Sequence, residues 1–165
     1  MFRALPAPSA KGPGYAILMT MSWTRASFVS FVTAALCLVW LFFKRAILGN
    51  GPVTIGIQVA AASLMVWARV TFGRRSFHAT ANPTAGGLVT NGPYRYLRHP
   101  IYSAVLYFLW AGIAVHLSVA HVIVALVATA GLAVRMLAEE TLIIGKYPEY
   151  AGYAGRTRRV VPFLF

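Results

Sequence analysis

Two short clusters of polar and aromatic residues border the longest apolar stretch of this sequence. The first, 94-YRYLRHPIY-102, stands directly before that stretch, and the second, 135-RMLAEE-140, stands at its end. They combine arginine, histidine, tyrosine and glutamate, which are side chains that bind charged groups and transfer protons. The chemistry available to them depends on whether the chain brings the two clusters together.

The apolar stretch that the clusters border, residues 101–138, contains its only cluster of polar residues at 116-HLSVAH-121. As one helix it would be about 57 Å long, whereas the hydrocarbon core of a bilayer is about 30 Å thick. The stretch must therefore reverse, and the polar cluster is the predicted turn. This reversal returns the chain to the side that it left, so 94–102 and 135–140 are predicted to meet. His116 and His121 are predicted to be turn or interface residues rather than metal ligands, because no carboxylate or cysteine is near them in the sequence.

The composition places the whole chain in a membrane. Of its 165 residues, 59% are hydrophobic and only 11% are charged, and the mean hydropathy is +0.68, whereas soluble domains average about 25% charged residues. A spanning helix needs about 20 predominantly apolar residues. Four runs approach or reach that length: 26–43, 52–72, 101–118 and 119–138. The predicted fold is an all-α integral membrane protein with about four transmembrane helices, the last two a tight hairpin, followed by a cytoplasmic amphipathic C-terminal segment.

The net charge of +12 does not indicate nucleic-acid binding, because the basic residues flank the apolar runs and form no patch on a soluble fold. Lys44 and Arg45 lie between the first two runs, and most other basic residues lie on the opposite side of the predicted membrane. The positive-inside rule then places both termini, and the segment between the second and third spans, in the cytoplasm.

The residues around His99-Pro100 are suited to starting a helix. Proline fits the first helical position, because its φ is already helical and its missing N–H would have no partner there. The amides of Ile101, Tyr102 and Ser103 then lack helical partners and are predicted to be free to hold an acceptor group. The alternative is that these residues only end one segment and start the next, with tyrosines and arginines at the lipid interface.

Arg135 and Glu139 are four residues apart and share one helix face. Glu139 and Glu140 are two of the three acidic residues in the chain, and ionisable residues in membrane helices are costly and usually functional. Glu139 is therefore the first candidate for a carboxylate that binds a cation. The alternative is an Arg135–Glu139 pair that closes on itself and contributes a few tenths of a kcal/mol.

Three segments together resemble a known family. They are 88-LVTNGPYRYLRHPIY-102, then 139-EE-140, then 149-EYAGYAGRTRRVVPF-163. In order and spacing they are similar to the isoprenylcysteine carboxyl methyltransferase and phospholipid methyltransferase superfamily, over roughly residues 69–165. The chain then divides into three parts: a basic N-terminal segment (1–25), two N-terminal transmembrane helices (26–72), which match the family only as generic membrane helices, and a core (73–165). The resemblance implies that this core is a methyltransferase made of a cofactor loop, the helical hairpin and the C-terminal segment.

The resemblance also implies a cofactor, S-adenosyl-L-methionine, in a pocket that faces the cytoplasm. Glu139 would accept from its ammonium group, and Arg135 would bind the acceptor substrate, which makes these two the implied catalytic residues. No metal is implied, and the implied partners are membrane lipids and a lipophilic or lipidated acceptor. The cofactor-binding residues that it implies are Gly86, Gly87, Leu88, Val89, Tyr94, His99, Pro100, Ile101, Tyr102 and Glu139.

Several alternatives remain at the level of sequence. The acceptor can be a prenylcysteine-like carboxylate, a phospholipid amine or a small hydrophobic thiol or acid. An amine or thiol acceptor would need a base, and Glu140 or His99 would be the candidates. Membrane sterol and steroid reductases carry a similar His-Pro-x-Tyr turn and use NADPH, and a non-catalytic lipid-binding membrane protein is the third alternative.

Overall fold

The computed structural model describes residues 13–73 and 87–161, with side chains described from residue 21 onward. The described chain is helical. Its elements are α1 (Pro13–Phe43), α2 (Pro52–Phe72), a short 3-10 helix (Gly92–Arg95), α3 (Pro100–Val115), α4 (Val119–Lys146) and α5 (Tyr150–Arg156).

Three of these helices are long and apolar enough to cross a membrane: Met21–Phe43 within α1, Pro52–Phe72, and Val119–Lys146. The fourth predicted span, α3, is a shorter apolar helix of 16 residues. The chain is therefore a multi-pass helical membrane protein, and the structure gives a spanning length to three of the four predicted helices.

Two helix boundaries differ from the sequence prediction. α4 continues past residue 138 to Lys146, because 141-TLIIGK-146 contains no residue that stops a helix before Tyr147, which precedes a proline. Glu139 and Glu140 therefore lie inside α4 rather than at its end. α1 begins at Pro13 rather than near residue 26, since a proline at the first helical position is favourable.

The predicted turn between the last two long helices is confirmed. α3 ends at Val115, α4 begins at Val119, and the Ser118 hydroxyl caps α4 by accepting from the N–H of His121 at 3.1 Å. Each arm of this hairpin nevertheless packs mainly on an earlier helix: α4 on α1, and α3 on α2. The four long helices thus form two packed pairs that the turn joins.

Small residues allow each arm of the hairpin to lie close to its neighbour, as is usual between membrane helices. A Cβ on Gly131 of α4 would lie 2.9 Å from the Ser30 carbonyl of α1, and a Cβ on Gly112 of α3 would overlap the Ile47 carbonyl. The loop that contains Ile47 is held further by the buried Gln58 of α2, whose Nε2 donates to Ile47 O at 2.7 Å and to Phe108 O of α3 at 3.0 Å. These contacts fix α3 relative to α2, and so fix the direction in which the first turn of α3 points.

Candidate functional site

The two polar clusters predicted to meet do meet, where the first turn of α3 lies against the last part of α4. The Tyr102 hydroxyl donates to Oε1 of Glu139 at 2.5 Å and accepts from Nε of Arg135 at 2.6 Å. Nε of Arg135 also lies 3.2 Å from the same carboxylate oxygen. One carboxylate, one phenol and one guanidinium thus form a continuous polar group. Arg135 and Glu139 share one helix face, as predicted, and they also form the ion pair that the alternative expected.

Arg135 is buried, with 3% of its surface exposed. The ring of Phe31 from α1 lies 4.7 Å from its guanidinium carbon, and the ring of Tyr102 lies 5.9 Å from it. A cation in a membrane helix needs such compensation, which the Glu139 carboxylate and the two ring faces supply. Sequence reasoning missed Phe31, because its distance along the chain gives no sign that α1 packs on α4.

Glu139 keeps part of its carboxylate accessible. Its side chain is 20% exposed, and its second oxygen, Oε2, lies 3.8 Å from Nδ1 of His99, which is beyond hydrogen-bond distance. Glu139 is therefore the carboxylate in this region with acceptor capacity left for a ligand.

Glu140, the neighbouring acid, is occupied by protein groups. It is 6% exposed, and its carboxylate contacts Nε2 of His99 at 3.1 Å, Nη1 of Arg98 at 3.3 Å and Nη2 of Arg159 at 3.0 Å. Because adjacent residues on a helix point about 100° apart, the side chains of the two glutamates face different neighbours. The role of Glu140 in holding other segments in place was missed, since two consecutive acidic residues look equivalent in the sequence.

Arg159, one of the partners of Glu140, belongs to the segment after α5. That segment pairs with the chain before α3. Leu97 and Arg158 form a parallel bridge, in which the Arg98 N–H donates to Arg158 O at 2.6 Å and the Arg158 N–H donates to Tyr96 O at 3.1 Å. The His99 N–H extends the pairing by donating to Arg159 O at 3.1 Å. The Val160 carbonyl also accepts from side-chain hydroxyls of α3. These donors are Ser103 at 2.9 Å and Tyr107 at 2.7 Å.

The tyrosines of the C-terminal segment are buried inside the protein rather than exposed to lipid headgroups. Tyr150 and Tyr153 are 3% and 8% exposed, and the Tyr153 hydroxyl donates to the Tyr94 carbonyl at 2.7 Å. Burial raises the pKa of Tyr153 to about 12 and that of Tyr150 well above its usual range. The C-terminal segment is thus packed against the candidate site.

The predicted cofactor loop is described from Gly87 onward, and Gly86 lies outside the described residues. Gly87 has a φ of 80°, a conformation that glycine adopts freely and other residues rarely adopt. Leu88 and Val89 line a cavity of about 550 Å³ together with Thr90, Asn91 and the end of α2 at Thr71–Gly73. That volume is within the usual range of about 300–1,000 Å³ for small-molecule sites.

Tyr94 is a buried residue that lies next to this cavity. It is 5% exposed, and its ring centroid lies 5.4 Å from that of Phe72, which lines the cavity. Burial, followed by the negative charges of Tyr153 and Glu139, raises the pKa of Tyr94 well above its usual range. Tyr94 is therefore a buried, neutral side chain in contact with the wall of the cavity at Phe72.

The start of α3 matches the prediction in part. Pro100 is the first residue of the helix and is buried, and His99 precedes it as the N-cap residue. The Ser103 amide is not free, however, because it donates to the His99 carbonyl at 2.9 Å. The expected row of three free amides was wrong at Ser103. Ile101 is partly buried beside Tyr102.

Within residues 13–73 and 87–161, no group of three or more histidine, cysteine, aspartate or glutamate side chains is arranged to hold a metal ion. His116 and His121 lie at the turn, where Nδ1 of His121 is 2.7 Å from the His116 carbonyl.

The helices and the polar group between them define the class: a multi-pass membrane protein with a carboxylate, arginine and tyrosine site at the end of its helices. The chain belongs to the isoprenylcysteine carboxyl methyltransferase (ICMT) family, whose profile matches residues 54–145, or 92 of the 165 residues. No curated protein and no solved structure gives a significant match to the chain. Family membership indicates a membrane methyltransferase. The matched segment includes α3, Arg135 and both glutamates.

Proposed function

We propose that the protein transfers a methyl group from S-adenosyl-L-methionine to the carboxylate of a lipophilic acceptor, of the isoprenylcysteine type that the family name describes. The observation that carries this proposal is the Arg135–Tyr102–Glu139 group, in which a partly open carboxylate and a guanidinium share one phenol. A cationic methyl donor and an anionic acceptor need these two opposite charges next to each other.

The residues near the group suit the donor. Glu139 has an oxygen available for an ammonium group, and the cavity lined by Leu88 and Val89 offers space next to a backbone that turns at Gly87. Tyr94 is neutral, so it can lie next to a cationic ligand without adding a charge to the site. These features support binding of the donor between the loop at 87–91 and the start of α3, with His99, Pro100, Ile101 and Tyr102 as neighbours.

The donor supplies an activated methyl group on a sulfonium, so the protein needs only to place and desolvate the acceptor. A carboxylate acceptor is already ionised near neutral pH, because its pKa is about 4. Arg135 would hold one oxygen of that carboxylate by charge-assisted hydrogen bonds and leave the other oxygen free to react. Tyr102 would keep Arg135 and Glu139 in register, since its hydroxyl bonds to both.

The second candidate, methylation of a phospholipid amine, requires a base. Glu140 is poorly suited to that task, because three positively charged or donating side chains already contact its carboxylate. His99 is buried and bonded to Glu140 through Nε2. The arrangement therefore favours an acceptor that is already ionised. The NADPH-dependent reductase alternative is disfavoured by the family match.

The distribution of basic residues supports an orientation in which the site faces the cytoplasm. Arg98, Arg158 and Arg159 lie at the same end of the helices as Glu139 and Glu140, whereas Lys44 and Arg45 follow the opposite end of α1. By the positive-inside rule, both termini and the site are cytoplasmic. The residues that form the site come from 87–161 together with α1 and the end of α2.

Ligand binding to the detergent-purified protein tests this proposal. S-adenosylmethionine and NADPH would each be titrated into wild type, Glu139→Gln and Glu149→Gln. Glu149 is an exposed acid with no side-chain cap bond, so its variant carries the same charge change away from the site. We expect wild type and Glu149→Gln to bind only S-adenosylmethionine, and Glu139→Gln to bind it at least tenfold more weakly. Binding of NADPH alone, or equal S-adenosylmethionine affinity in all three proteins, would overturn the proposal.

A further inference from the structure

α1 lies outside the family match, which begins at residue 54, yet it contributes directly to the candidate site. Its Phe31 ring faces the guanidinium of Arg135 at 4.7 Å. Phe31 is 38% exposed while Arg135 is 3% exposed. Phe31 therefore covers the cation on the side that faces α1, and an acceptor carboxylate that approaches from that side has to displace the phenyl ring.

A second feature of α1 lies one turn before Phe31. Ser27 is completely buried, and its hydroxyl has no hydrogen-bond partner. A buried hydroxyl without a partner costs about 1–3 kcal/mol, and alanine at the same position would avoid that cost. Residues four apart lie on the same face of a helix, so Ser27 and Phe31 both face α4.

From the register of α1 and α4 we infer that Ser27 lies at the level of Glu139. α1 and α4 are antiparallel: Gly131 approaches Ser30 and Ala34, and Arg135, one turn later in α4, meets Phe31. Continuing this register by one more turn brings Ser27 next to Ala138 and Glu139. Ala138 is also completely buried, as expected for a residue in this contact.

We propose that α1 completes the acceptor-binding site. Phe31 is a movable cover over Arg135, and the Ser27 hydroxyl is a second donor to the acceptor's carboxylate. This inference rests on the proposed function and adds the specificity for a carboxylate with an apolar chain. When the Phe31 ring turns away, Arg135 and Ser27, which lie one helical turn apart along the α1–α4 contact, can both bind the carboxylate of the acceptor. The displaced ring, already part of the lipid-facing surface of α1, then packs against the apolar chain of the acceptor.

No bond is made or broken by Ser27 or Phe31 in this scheme. Ser27 is a substrate-binding donor, and Phe31 controls access and contributes apolar contact. An uncharged ester of the same acceptor offers Ser27 only a neutral carbonyl oxygen, which accepts a weaker hydrogen bond than a carboxylate does, so binding of the ester must depend less on the Ser27 hydroxyl than binding of the acid does. This difference separates a donor to the carboxylate from a residue that is merely small enough for helix packing.

Equilibrium binding of two probes tests the inference: N-acetyl-S-farnesylcysteine and its methyl ester. Each would be measured with wild type, Ser27→Ala and Phe31→Ala in detergent, together with S-adenosylmethionine binding. The matched controls are Ser63→Ala, whose exposed hydroxyl bonds only within α2, and Phe28→Ala, a 48% exposed phenylalanine of α1. Thermal unfolding of each variant reports folding separately.

We expect Ser27→Ala to weaken binding of the free acid about tenfold, as for loss of a hydrogen bond to a charged group, to weaken binding of the ester clearly less, and to leave binding of S-adenosylmethionine unchanged. Its melting temperature should equal or exceed that of wild type. Phe31→Ala should weaken binding of both probes by about the same factor. Both controls should match wild type.

The inference is wrong if Ser27→Ala binds the acid as wild type does, if it loses acid and ester equally, or if the wild-type protein binds S-adenosylmethionine but not the acid. A wild-type protein that does not bind S-adenosylmethionine contradicts the proposed function instead. The two failures are therefore distinguishable.

Discussion

His99 and Glu140 are 41 residues apart in the sequence, and Nε2 of the imidazole lies 3.1 Å from Oε1 of the carboxylate. This contact joins the start of α3 to the last part of α4. The other ring nitrogen of His99 points toward Glu139 at 3.8 Å. One buried histidine thus lies between a carboxylate that holds the protein together and a carboxylate that remains open to a ligand.

Replacing Glu140 should destabilise the fold. In Glu140→Gln the charge that Arg98 and Arg159 contact disappears, and two partly buried guanidinium groups keep only a neutral amide as partner, which costs about 1.5–3 kcal/mol. For a chain of this size that corresponds to a fall in melting temperature of about 3–12 °C. Thermal unfolding in detergent measures it, with Glu149→Gln as the exposed control. Equal melting temperatures for the two variants would show that the Glu140 cluster contributes nothing.

Removing the Tyr102 hydroxyl should reduce function with little effect on the fold. Tyr102→Phe keeps the ring next to Arg135 but breaks both hydrogen bonds that align Arg135 and Glu139. Hydrogen bonds to charged groups contribute about 1.5–3 kcal/mol, so we expect kcat/KM for methyl transfer to fall about 10–100-fold. Tyr96→Phe, at a tyrosine that is 53% exposed, is the control. Unchanged kcat/KM in Tyr102→Phe would contradict the role given to the hydroxyl.

A side chain at Gly87 should strain the loop rather than crowd it. A Cβ there meets nothing within 4 Å, but φ is 80°, so Gly87→Ala should cost about 1–2 kcal/mol from the backbone alone. Because the strain falls at the edge of the cavity, we expect weaker S-adenosylmethionine binding in titrations. Gly152→Ala in α5 has equally open surroundings without the positive φ, and its affinity should stay at the wild-type value.

The loop between α1 and α2 should be disrupted by any side chain at Gly112. A methyl group in Gly112→Ala overlaps the Ile47 carbonyl, and overpacking of this kind costs about 1–3 kcal/mol or more. Limited proteolysis within 44–51 and the melting temperature both report the change. Gly56→Ala adds the same methyl group where nothing lies within 4 Å. A Gly112→Ala protein as stable as Gly56→Ala would mean that α3 is not held by this loop.

The sequence predicted those parts of the fold that depend on local pattern. The spacing of Arg135 and Glu139, the proline that starts α3 and the polar turn before α4 each follow from neighbours a few residues away, and the structure confirms them. The meeting of 94–102 with 135–140 followed from membrane thickness, which forces the chain to reverse.

The contacts that were not predicted are those between distant segments. The pairing of Leu97 with Arg158 uses backbone groups, which every residue carries, so no side-chain pattern signals it. Phe31 reaches Arg135 because α4 packs mainly on α1 rather than on α3. The sequence of an apolar helix does not indicate which other helix it packs on. The different roles of Glu139 and Glu140 likewise depend on which side of α4 faces Arg98 and Arg159.

The pairing of α1 with α4 and of α2 with α3 also sets an order of assembly. Of the described helices α1 is synthesised before the others, and its main packing partner begins about 75 residues after its end, which at 5–20 residues per second is roughly 4–15 seconds of translation. Throughout that interval the face of α1 that carries Ser27 and Ala34 has only lipid to contact. The α2–α3 pair can form before α4 exists, so the binding site is the last part of the described helices to assemble, when α4 packs against α1.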